Sequence, residues 1–313
     1  MLDSPPSYWA RLTGFEGPGE EGAIHGAGNQ TMSDAAFLLG LIGEGIQASR
    51  TPAMHEREAA AQQMRVIYRL IDMQRLGLGV ESLADLLLCA ERMGFNGLNI
   101  THPCKQAVVP LLDELSPEAR ALNAVNTVLL SDGRRTGHNT DWSGFADSFR
   151  RSMPDANRDR VVQLGAGGAG SAVAYAAMML GVQQLTIIDI DVGRAATVAE
   201  GLRMRFADRR IVANGDLRDA VAEADGLINT TPMGMASHPG LPLPAALLRP
   251  QLWVAEIVYF PLQTALLKQA RAVGCRTLDG SGMAVFQAAA AFRLFTGREP
   301  DVDRMLRHFR DMG

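Results

Sequence analysis

A lysine stands out in the stretch NITHPCKQ, residues 99–106, because this chain contains only two lysines. Of its 30 basic residues, 28 are arginines, and the exceptions are Lys105 and Lys268. Arginine stays protonated at any working pH, whereas the pKa of a partly buried lysine can fall toward neutrality. Lys105 is therefore a candidate for a group that gives up and regains a proton. The alternative is that two lysines among thirty cations fall where they do by chance.

A second candidate for chemistry is a glycine-rich turn between a strand predicted at residues 161–164 and a helix predicted at 171–180. Five of its residues are expected to contact a cofactor: Gly165, Gly167, Gly168, Ala169 and Gly170. In such a turn the glycines allow the tight bend, the approach of a pyrophosphate and the close packing of helix on strand. N–H groups at the helix start then stabilise the phosphate charge. The pattern predicts a dinucleotide site, and a purely structural turn is the alternative.

An acidic residue at the end of the next strand indicates which dinucleotide. Asp189 follows Gly170 by 19 residues. A carboxylate there accepts hydrogen bonds from the ribose hydroxyls of NAD and repels the 2′-phosphate of NADP. Arg194, five residues further on, could contact the adenine or a phosphate. The sequence thus favours NAD, with NADP as the less favoured cofactor.

The elements that must position these residues alternate between strands and helices. Strands are predicted at residues 37–43, 66–72, 97–100 and 124–130, and helices at 52–64, 82–92 and 116–122. Asp132-Gly133 is a hairpin signal. A second series has predicted strands at 161–164, 185–189, 210–213, 226–229, 253–258 and 276–278, and a long helix at 282–295. This alternation predicts an α/β protein with largely parallel sheets.

Composition and charge exclude several classes of function. The net charge is −4 with no basic stripe, so nucleic acid is not an expected partner. No apolar run approaches the ~18–20 residues of a membrane span. The three cysteines, Cys89, Cys104 and Cys275, are widely spaced, which argues against a disulfide framework or a metal site and favours the cytoplasm. Residues 1–32, rich in Gly and Pro, are predicted to be a flexible extension.

Seven segments, in this order, resemble those of the shikimate dehydrogenase family, and specifically its quinate/shikimate dehydrogenase branch. They are residues 43–55, 99–105, 123–127, 137–141, 165–170, 229–234 and 282–287. The resemblance covers roughly residues 37–313 and implies two α/β domains with the substrate between them. A substrate-binding domain is expected at 33–145 plus 280–313, and a Rossmann dinucleotide-binding domain at 146–279. The resemblance also implies a small-molecule partner, quinate or shikimate.

The resemblance assigns a role to the opening lysine. In this family the lysine of the NxTxPxK motif, here Lys105, acts in proton transfer at the ring hydroxyl that is oxidised, and the aspartate of GxNTD, here Asp141, is its partner. Taken alone, Asp141 has a helix cap as its alternative role. Three further residues, implied to contact the cofactor, are Thr230, Met233 and Gly280. A general base contributes ~10²–10⁴-fold to such an oxidation.

The resemblance also implies a set of substrate contacts. Ser49 and Thr51 are expected to bind the carboxylate, and the residues expected to contact the ring hydroxyls are Thr101, Asn126 and Gln287. Tyr259 matches a tyrosine of the family that also lies near the substrate. The typical shikimate enzyme has Ser-x-Ser where this chain has Ser49-Arg-Thr51. The quinate-using branch resembles this chain in its Ser-Arg-Thr. One added methyl supports only ~10-fold selectivity, so quinate, shikimate and an aminoshikimate-type substrate remain alternatives.

These features predict an NAD-dependent oxidoreductase that converts a ring hydroxyl of quinate or shikimate to the 3-dehydro acid. One alternative is an NADP-dependent shikimate dehydrogenase of aromatic amino-acid biosynthesis. Another, of a different class, is a non-catalytic sensor that keeps both binding sites. Whether the chain forms a homodimer stays undecided, because the sequence has no clear exposed apolar edge that would indicate one.

Overall fold

The computed structural model describes residues 36–312. The flexible extension predicted at residues 1–32 lies outside the described residues. Inside them, twelve strands form two six-stranded sheets, one within residues 36–138 and the other within residues 160–278. Two sheets with helices between their strands confirm the predicted α/β fold class.

The first sheet has the strand order β2-β1-β3-β5-β6-β4. Its strands are β1 (Ala36–Gly43), β2 (Arg65–Asp72), β3 (Gly97–Ile100), β4 (Glu114–Leu115), β5 (Thr127–Ser131) and β6 (Arg134–His138). β1 pairs in parallel with β2 and β3, and β4 with β6, whereas β5 is antiparallel to β3 and β6. The first sheet is therefore mixed: three of its five strand pairs are parallel, as predicted, and the two pairs that involve β5 are antiparallel. The antiparallel pairing of β5 with β6 follows from the predicted hairpin turn, in which Asp132 and Gly133 have φ of 52° and 71°.

Five helices accompany this sheet: α1 (Thr51–Ala61), α2 (Met73–Leu76), α3 (Leu83–Arg92), α4 (Cys104–Ala107) and α5 (Pro117–Leu122). α3 buries Leu83, Leu87 and Ala90, which recur every three to four residues and pack on the first core. α5 begins where Ser116 Oγ accepts a hydrogen bond from Ala119 N. These helices place the loops after β1 and β3 at one edge of the sheet.

The second sheet is entirely parallel, with the order β12-β11-β10-β7-β8-β9. Its strands are β7 (Arg160–Leu164), β8 (Gln184–Ile188), β9 (Arg210–Ala213), β10 (Gly226–Asn229), β11 (Trp253–Glu256) and β12 (Arg276–Leu278). The helices that connect them are α7 (Gly168–Met179), α8 (Val192–Arg203), α9 (Leu217–Ala222) and α10 (Ala265–Val273). Counted along the chain, this is the 3-2-1-4-5-6 order of dinucleotide-binding folds. Ligands bind such sheets in the crevice between the first and fourth strands, here β7 and β10.

Three more helices belong to neither series: α6 (Asp141–Ser152), α11 (Gly280–Thr296) and α12 (Val302–Asp311). α6 and α11 approach closely, since a Cβ on Gly144 would lie 2.8 Å from Gln287 N. The predicted domain boundary at 145/146 falls inside α6, and the one at 279/280 coincides with the start of α11. The division into domains at these residues stays a prediction. Among residues 36–312, no helix is both long enough and apolar enough to span a membrane.

Candidate active site

A cleft of about 700 Å³ is lined by loops and helix ends from both sheets. It receives residues that follow β1 and β3 in the first half of the chain and residues that follow β10 and β11 in the second. The side chains predicted for proton transfer or substrate binding all line it: Ser49, Thr51, Thr101, Lys105, Asn126, Asp141, Tyr259 and Gln287. The fold thus brings together eight residues that are as far apart as 238 positions in the sequence.

Lys105 and Asp141 form an ion pair at the wall of this cleft. Lys105 Nζ lies 2.6 Å from Asp141 Oδ2. Lys105 is on the short helix α4 directly after β3, and Asp141 is the first residue of α6. The lysine side chain is 20% exposed and the aspartate side chain 4%, so the lysine is the member of the pair that a bound molecule can reach.

A hydrogen bond from the Asn126 amide fixes the Asp141 carboxylate, and bonds with neighbouring residues fix Asn126 and the Asp141 backbone. Asn126 Nδ2 donates to Asp141 Oδ1 over 2.9 Å, and Asn126 Oδ1 accepts from Thr140 N over 2.8 Å. Asp141 N in turn donates to Asn139 Oδ1 over 3.1 Å. With Oδ1 held by Asn126, Oδ2 is presented to Lys105. The pair is therefore oriented before any ligand binds.

A buried polar chain behind the pair was missed by sequence reasoning. Tyr68 OH donates to Asn99 Oδ1 over 2.7 Å, and Asn99 Nδ2 donates to Asn126 O and Thr127 Oγ1, each over 3.1 Å. Burial raises the pKa of Tyr68 well above its usual value, so its hydroxyl is a stable donor. Asn99 belongs to the opening stretch, and its motif could have signalled this role. Tyr68 carries no such signal.

The two hydroxyls predicted to bind a carboxylate are adjacent at the start of α1. Ser49 Oγ donates to Thr51 Oγ1 over 3.1 Å, and Thr51 N donates to Ser49 Oγ over 3.3 Å. Tyr259, which follows β11 in the second half of the chain, is 42% exposed. Hydroxyls that can both donate and accept suit a ligand that carries a carboxylate and several hydroxyl groups.

The glycine turn has the geometry that a dinucleotide needs. Gly165 has φ of +97°, and a Cβ on Gly170 would lie 2.7 Å from Gly165 O. A Cβ on Gly167 or Gly168 would have nothing within 4 Å, so the main chain there is open to a ligand. The neighbouring Gln163, which the sequence analysis did not single out, donates from Nε2 to Gly165 O and Gly170 O over 2.8 and 2.9 Å. Dinucleotide binding by this turn fits the geometry and stays a prediction.

Asp189 lies directly beyond β8 and anchors the turn. Its Oδ2 accepts from Ala166 N over 2.7 Å, and its Oδ1 accepts from Asp191 N and from Arg194 Nη2 over 2.8 and 3.0 Å. Burial favours a higher pKa for Asp189, but the main-chain donors and Arg194 prevail and lower it. The carboxylate is thus ionised. Arg194 is also paired with Asp191, at 3.3 Å.

The remaining predicted cofactor residues occupy two situations. Thr230 lines the cleft, and its Oγ1 donates to Leu164 O over 2.8 Å, which joins the loop after β10 to the glycine turn. Met233 and Gly280 are not among the cleft-lining residues. Gly280 packs beneath the cleft wall, where a Cβ would lie 2.5 Å from Ile257 O. Sequence reasoning missed Glu256, whose buried carboxyl has its pKa raised to about 7 by burial, against hydrogen bonds that lower it.

Cys104, beside the catalytic candidate Lys105, is not a reactive thiol. It is fully buried, with Sγ 3.3 Å from Met73 Sδ. Burial, with a contribution from the charge of Glu44, raises the pKa of Cys104 to about 11, so the thiol is neutral. Within residues 36–312, no group of three or more histidine, cysteine or acidic side chains is placed to hold a metal ion.

Comparison with protein families gives two matches to this chain. Residues 41–128 match the model of the shikimate dehydrogenase substrate binding domain, and residues 280–308 match that of the shikimate 5′-dehydrogenase C-terminal domain. Both matches fall in the half of the chain predicted to bind substrate. They are consistent with the positions of Lys105 and Gln287 in the cleft.

Individual relatives are similar over nearly the whole described chain. The NADP⁺ shikimate dehydrogenase of Streptomyces avermitilis is 58% identical, over 88% of this chain and 95% of that protein. The NAD⁺ quinate/shikimate dehydrogenase of Corynebacterium efficiens is 53% identical, over 88% and 98%. Among solved structures, quinate dehydrogenase from Corynebacterium glutamicum in complex with NAD has a TM-score of 0.83 and 49% identity, and covers 89% of this chain and 99% of that one.

Proposed function

The chain belongs to the shikimate dehydrogenase family, and we propose that it is an NAD-dependent quinate/shikimate dehydrogenase. It reversibly oxidises the C3 ring hydroxyl of quinate or shikimate to 3-dehydroquinate or 3-dehydroshikimate. The observation that carries this proposal is the 2.6 Å Lys105–Asp141 pair in a cleft shared with the loop after β10. The pair supplies proton transfer on one side of the cleft, and the dinucleotide fold supplies the cofactor on the other.

Proton transfer falls to Lys105. Oxidation of a secondary alcohol removes a hydride from carbon and a proton from oxygen, and the nicotinamide, when bound, accepts the hydride. Lys105 Nζ, in its neutral form, takes the proton of the ring hydroxyl and becomes the ammonium, which Asp141 stabilises. In the reverse direction the ammonium returns that proton to the oxygen of the ketone. Asn126 keeps the Asp141 carboxylate in place throughout.

Substrate orientation falls to hydroxyl and amide side chains that line the cleft from both halves of the chain. Ser49 and Thr51 bind the carboxylate at the start of α1, where their hydroxyls already lie 3.1 Å apart. The ring hydroxyls meet the polar groups of the cleft wall, namely Thr101, Asn126, Tyr259 and Gln287. Contacts at both ends of the ring place the reacting hydroxyl against Lys105. Orientation of this kind contributes much of the rate that a binding site adds to such a reaction.

The preference for NAD rests on the charge around Asp189. A 2′-phosphate would meet the ionised Asp189 carboxylate, and the nearest cation, Arg194, is already paired with Asp189 and Asp191. An NAD ribose brings hydroxyls that can donate to Asp189 Oδ2, which accepts one hydrogen bond from Ala166 N. Electrostatics and hydrogen bonding therefore both favour NAD.

An NADP-dependent shikimate dehydrogenase is the second candidate. Two observations favour it: Arg194 lies at the predicted ribose site, and the Streptomyces avermitilis relative at 58% identity has that name. A non-catalytic sensor is less consistent with the structure, because a protein that only senses has no need of an oriented lysine–carboxylate pair.

The test is to measure initial rates of reduced-nicotinamide formation with quinate or shikimate, each with NAD or NADP. We expect turnover with NAD, and a quinate rate at least comparable with the shikimate rate. Turnover with shikimate and NADP alone would make the second candidate correct. No turnover in any of the four mixtures would contradict both and favour the sensor.

A further inference from the structure

Glu256 is a buried carboxylate in the second half of the chain that takes no part in the mechanism above. It is the last residue of β11 and is 1% exposed. Its oxygens accept hydrogen bonds from Asn229 Nδ2 over 3.0 and 3.1 Å, from Val258 N over 3.1 Å and from Thr264 Oγ1 over 3.2 Å. Each of these donors is uncharged. A buried carboxylate without a counter-ion is costly, which makes Glu256 a candidate for a role in the site.

The partner Asn229 organises the loop that follows β10. Its Nδ2 also donates to Met233 O over 3.0 Å, and its Oδ1 accepts from Thr231 N and Thr231 Oγ1 over 3.1 and 2.7 Å. Thr231 Oγ1 then accepts from Met233 N over 3.2 Å. The amide of Asn229 therefore closes the loop on both sides. The face of this loop that looks into the cleft consists of Thr230, Thr231 and Pro232.

Glu256 acts together with two main-chain groups, Met233 O and Thr231 N, to set which way the Asn229 amide points. In the observed orientation, Nδ2 faces two acceptors, Met233 O and the Glu256 carboxylate, and Oδ1 faces two donors of Thr231. The opposite orientation would place the amide oxygen against the carboxylate and a carbonyl, and it would leave Thr231 without its acceptor. In its ionised form the Glu256 carboxylate can only accept, so it disfavours that orientation.

The Asn229–Gly234 loop also packs directly against Glu256 and Thr264. Gly234 has φ of +104°, and a Cβ there would lie 3.2 Å from Thr264 Cβ and 3.7 Å from Glu256 Oε2. Thr264 is in turn the N-cap of α10, since its Oγ1 accepts from Leu267 N. Glu256 is thus the point where the loop after β10, the end of β11 and the start of α10 meet.

We propose that Glu256 is a positioning residue which, through Asn229, fixes the Asn229–Gly234 loop in the shape that receives the nicotinamide end of the cofactor. This rests on the proposed function. The adenosine end of a dinucleotide lies at the glycine turn and Asp189, which belong to β7 and β8 and do not contact Glu256. Loss of the carboxylate should therefore weaken the use of the nicotinamide end and spare the adenosine end.

The experiment compares NAD with ADP-ribose, which lacks the nicotinamide. In Glu256→Leu, Asn229 loses its side-chain acceptor and is held only by Met233 O and Thr231. We expect kcat/KM for NAD to fall roughly 10–100-fold, because small misplacements of a reacting group have effects of this size. The inhibition constant of ADP-ribose should change by less than about twofold. Glu256→Gln, which keeps one acceptor for Asn229, should lie between the variant and the wild type.

The matched control is Asp225→Asn, the same loss of a carboxylate at the opposite end of β10. Asp225 accepts from Asn157 Nδ2 and Arg160 N, far from the loop, so kcat/KM for NAD should stay unchanged. The proposal is overturned if Glu256→Leu keeps its kcat/KM, or if the inhibition constant of ADP-ribose rises in the same proportion. If Glu256→Leu shows no cooperative unfolding transition, Glu256→Gln is judged by the same criteria.

A failure of the proposed function gives a different result. The wild type would then turn over neither acid, and calorimetric dissociation constants of NADH and ADP-ribose would replace the kinetics. Glu256→Leu should still weaken NADH binding more than ADP-ribose binding. Equal effects on the two ligands, or wild-type protein that binds neither, would contradict the role of Glu256.

Discussion

The two lysines of this chain have different surroundings, and the difference gives their residue type a physical meaning. Lys105 is mostly buried in the cleft wall beside Asp141. Lys268 is exposed on α10. Composition alone could not distinguish a functional lysine from an accidental one. The structure separates the two lysines, since only Lys105 combines a carboxylate partner with access to the cleft.

Lys105→Arg tests whether the group must lose its proton. The substitution keeps the positive charge and a donor for Asp141, but arginine is not deprotonated at working pH. We expect kcat to fall by about 10²–10⁴-fold, the usual contribution of a general base, with a smaller effect on the KM of the acid substrate. The measurement is steady-state kinetics with NAD and quinate or shikimate.

Lys268→Arg is the matched control for that prediction. It makes the same chemical change at the exposed lysine of α10, and kcat should remain that of the wild type. A Lys105→Arg variant that retains more than about a tenth of the wild-type kcat would contradict the general-base role.

Sequence reasoning found the residues that belong to recognisable motifs and missed those that act across them. The eight predicted cleft residues do line one cleft. Tyr68 and Glu256 were missed, because their roles depend on hydrogen bonds to Asn99 and Asn229, 31 and 27 positions away. A single sequence shows no sign of such pairings, since neither partner is close in the chain.

Among the elements, strand bounds were predictable where a compact apolar run ends in a turn, and less so elsewhere. β3, β9, β10 and β12 have the predicted bounds. The strand predicted at residues 124–130 begins only at Thr127, although Asn126 N still donates to His138 O and Asn126 O accepts from Ile100 N. The helix predicted at residues 52–64 ends at Ala61, before Gln63, whose φ is 59°.

In the proposed function, the connection between β8 and α8 sets the choice of cofactor. Asp189→Ser removes the carboxylate that repels a 2′-phosphate and leaves Arg194 paired only with Asp191. We expect the ratio of kcat/KM for NAD to that for NADP to fall about 10–100-fold, the value of one hydrogen bond to a charged group. The measurement is the two kcat/KM values with the same acid substrate.

Asp191→Asn is the control for this prediction. It removes a neighbouring charge from Arg194 but keeps a side chain that can cap α8, whose first N–H groups are bound by Asp191. The cofactor ratio should change by less than about threefold, well below the value of one hydrogen bond to a charged group. An equal shift in both variants would mean that general charge, and not the position of Asp189, sets the preference.

For the whole molecule, the C-terminal helices return to the first sheet and enclose a histidine there. His55, on α1, is fully buried, and its ring lies 5.0 Å from that of Tyr68 and about as close to two rings of α11, Phe292 at 6.1 Å and Phe295 at 5.9 Å. Its Nδ1 lies 3.0 Å from Thr51 O, at the residue predicted to bind the substrate carboxylate. The site therefore depends on the packing of both ends of the described chain around one titratable group.

The titration of His55 should make the protein less stable in acid. Burial lowers the pKa of His55 from 6.5 to about 4, although the hydrogen bond with Thr51 O opposes this. Below pH 6.5 the unfolded chain takes up a proton that the folded protein refuses until about pH 4, so the free energy of unfolding falls across this window. Between pH 7.5 and 4.5 the loss from this residue amounts to about 2–3 kcal/mol.

His55→Leu removes this loss of stability, while every other titrating group remains. Denaturant unfolding of both proteins at the two pH values should show the wild type losing that much more stability than the variant. Parallel losses would mean that His55 is protonated in the folded protein, and that the packing of α1 against α11 tolerates its charge.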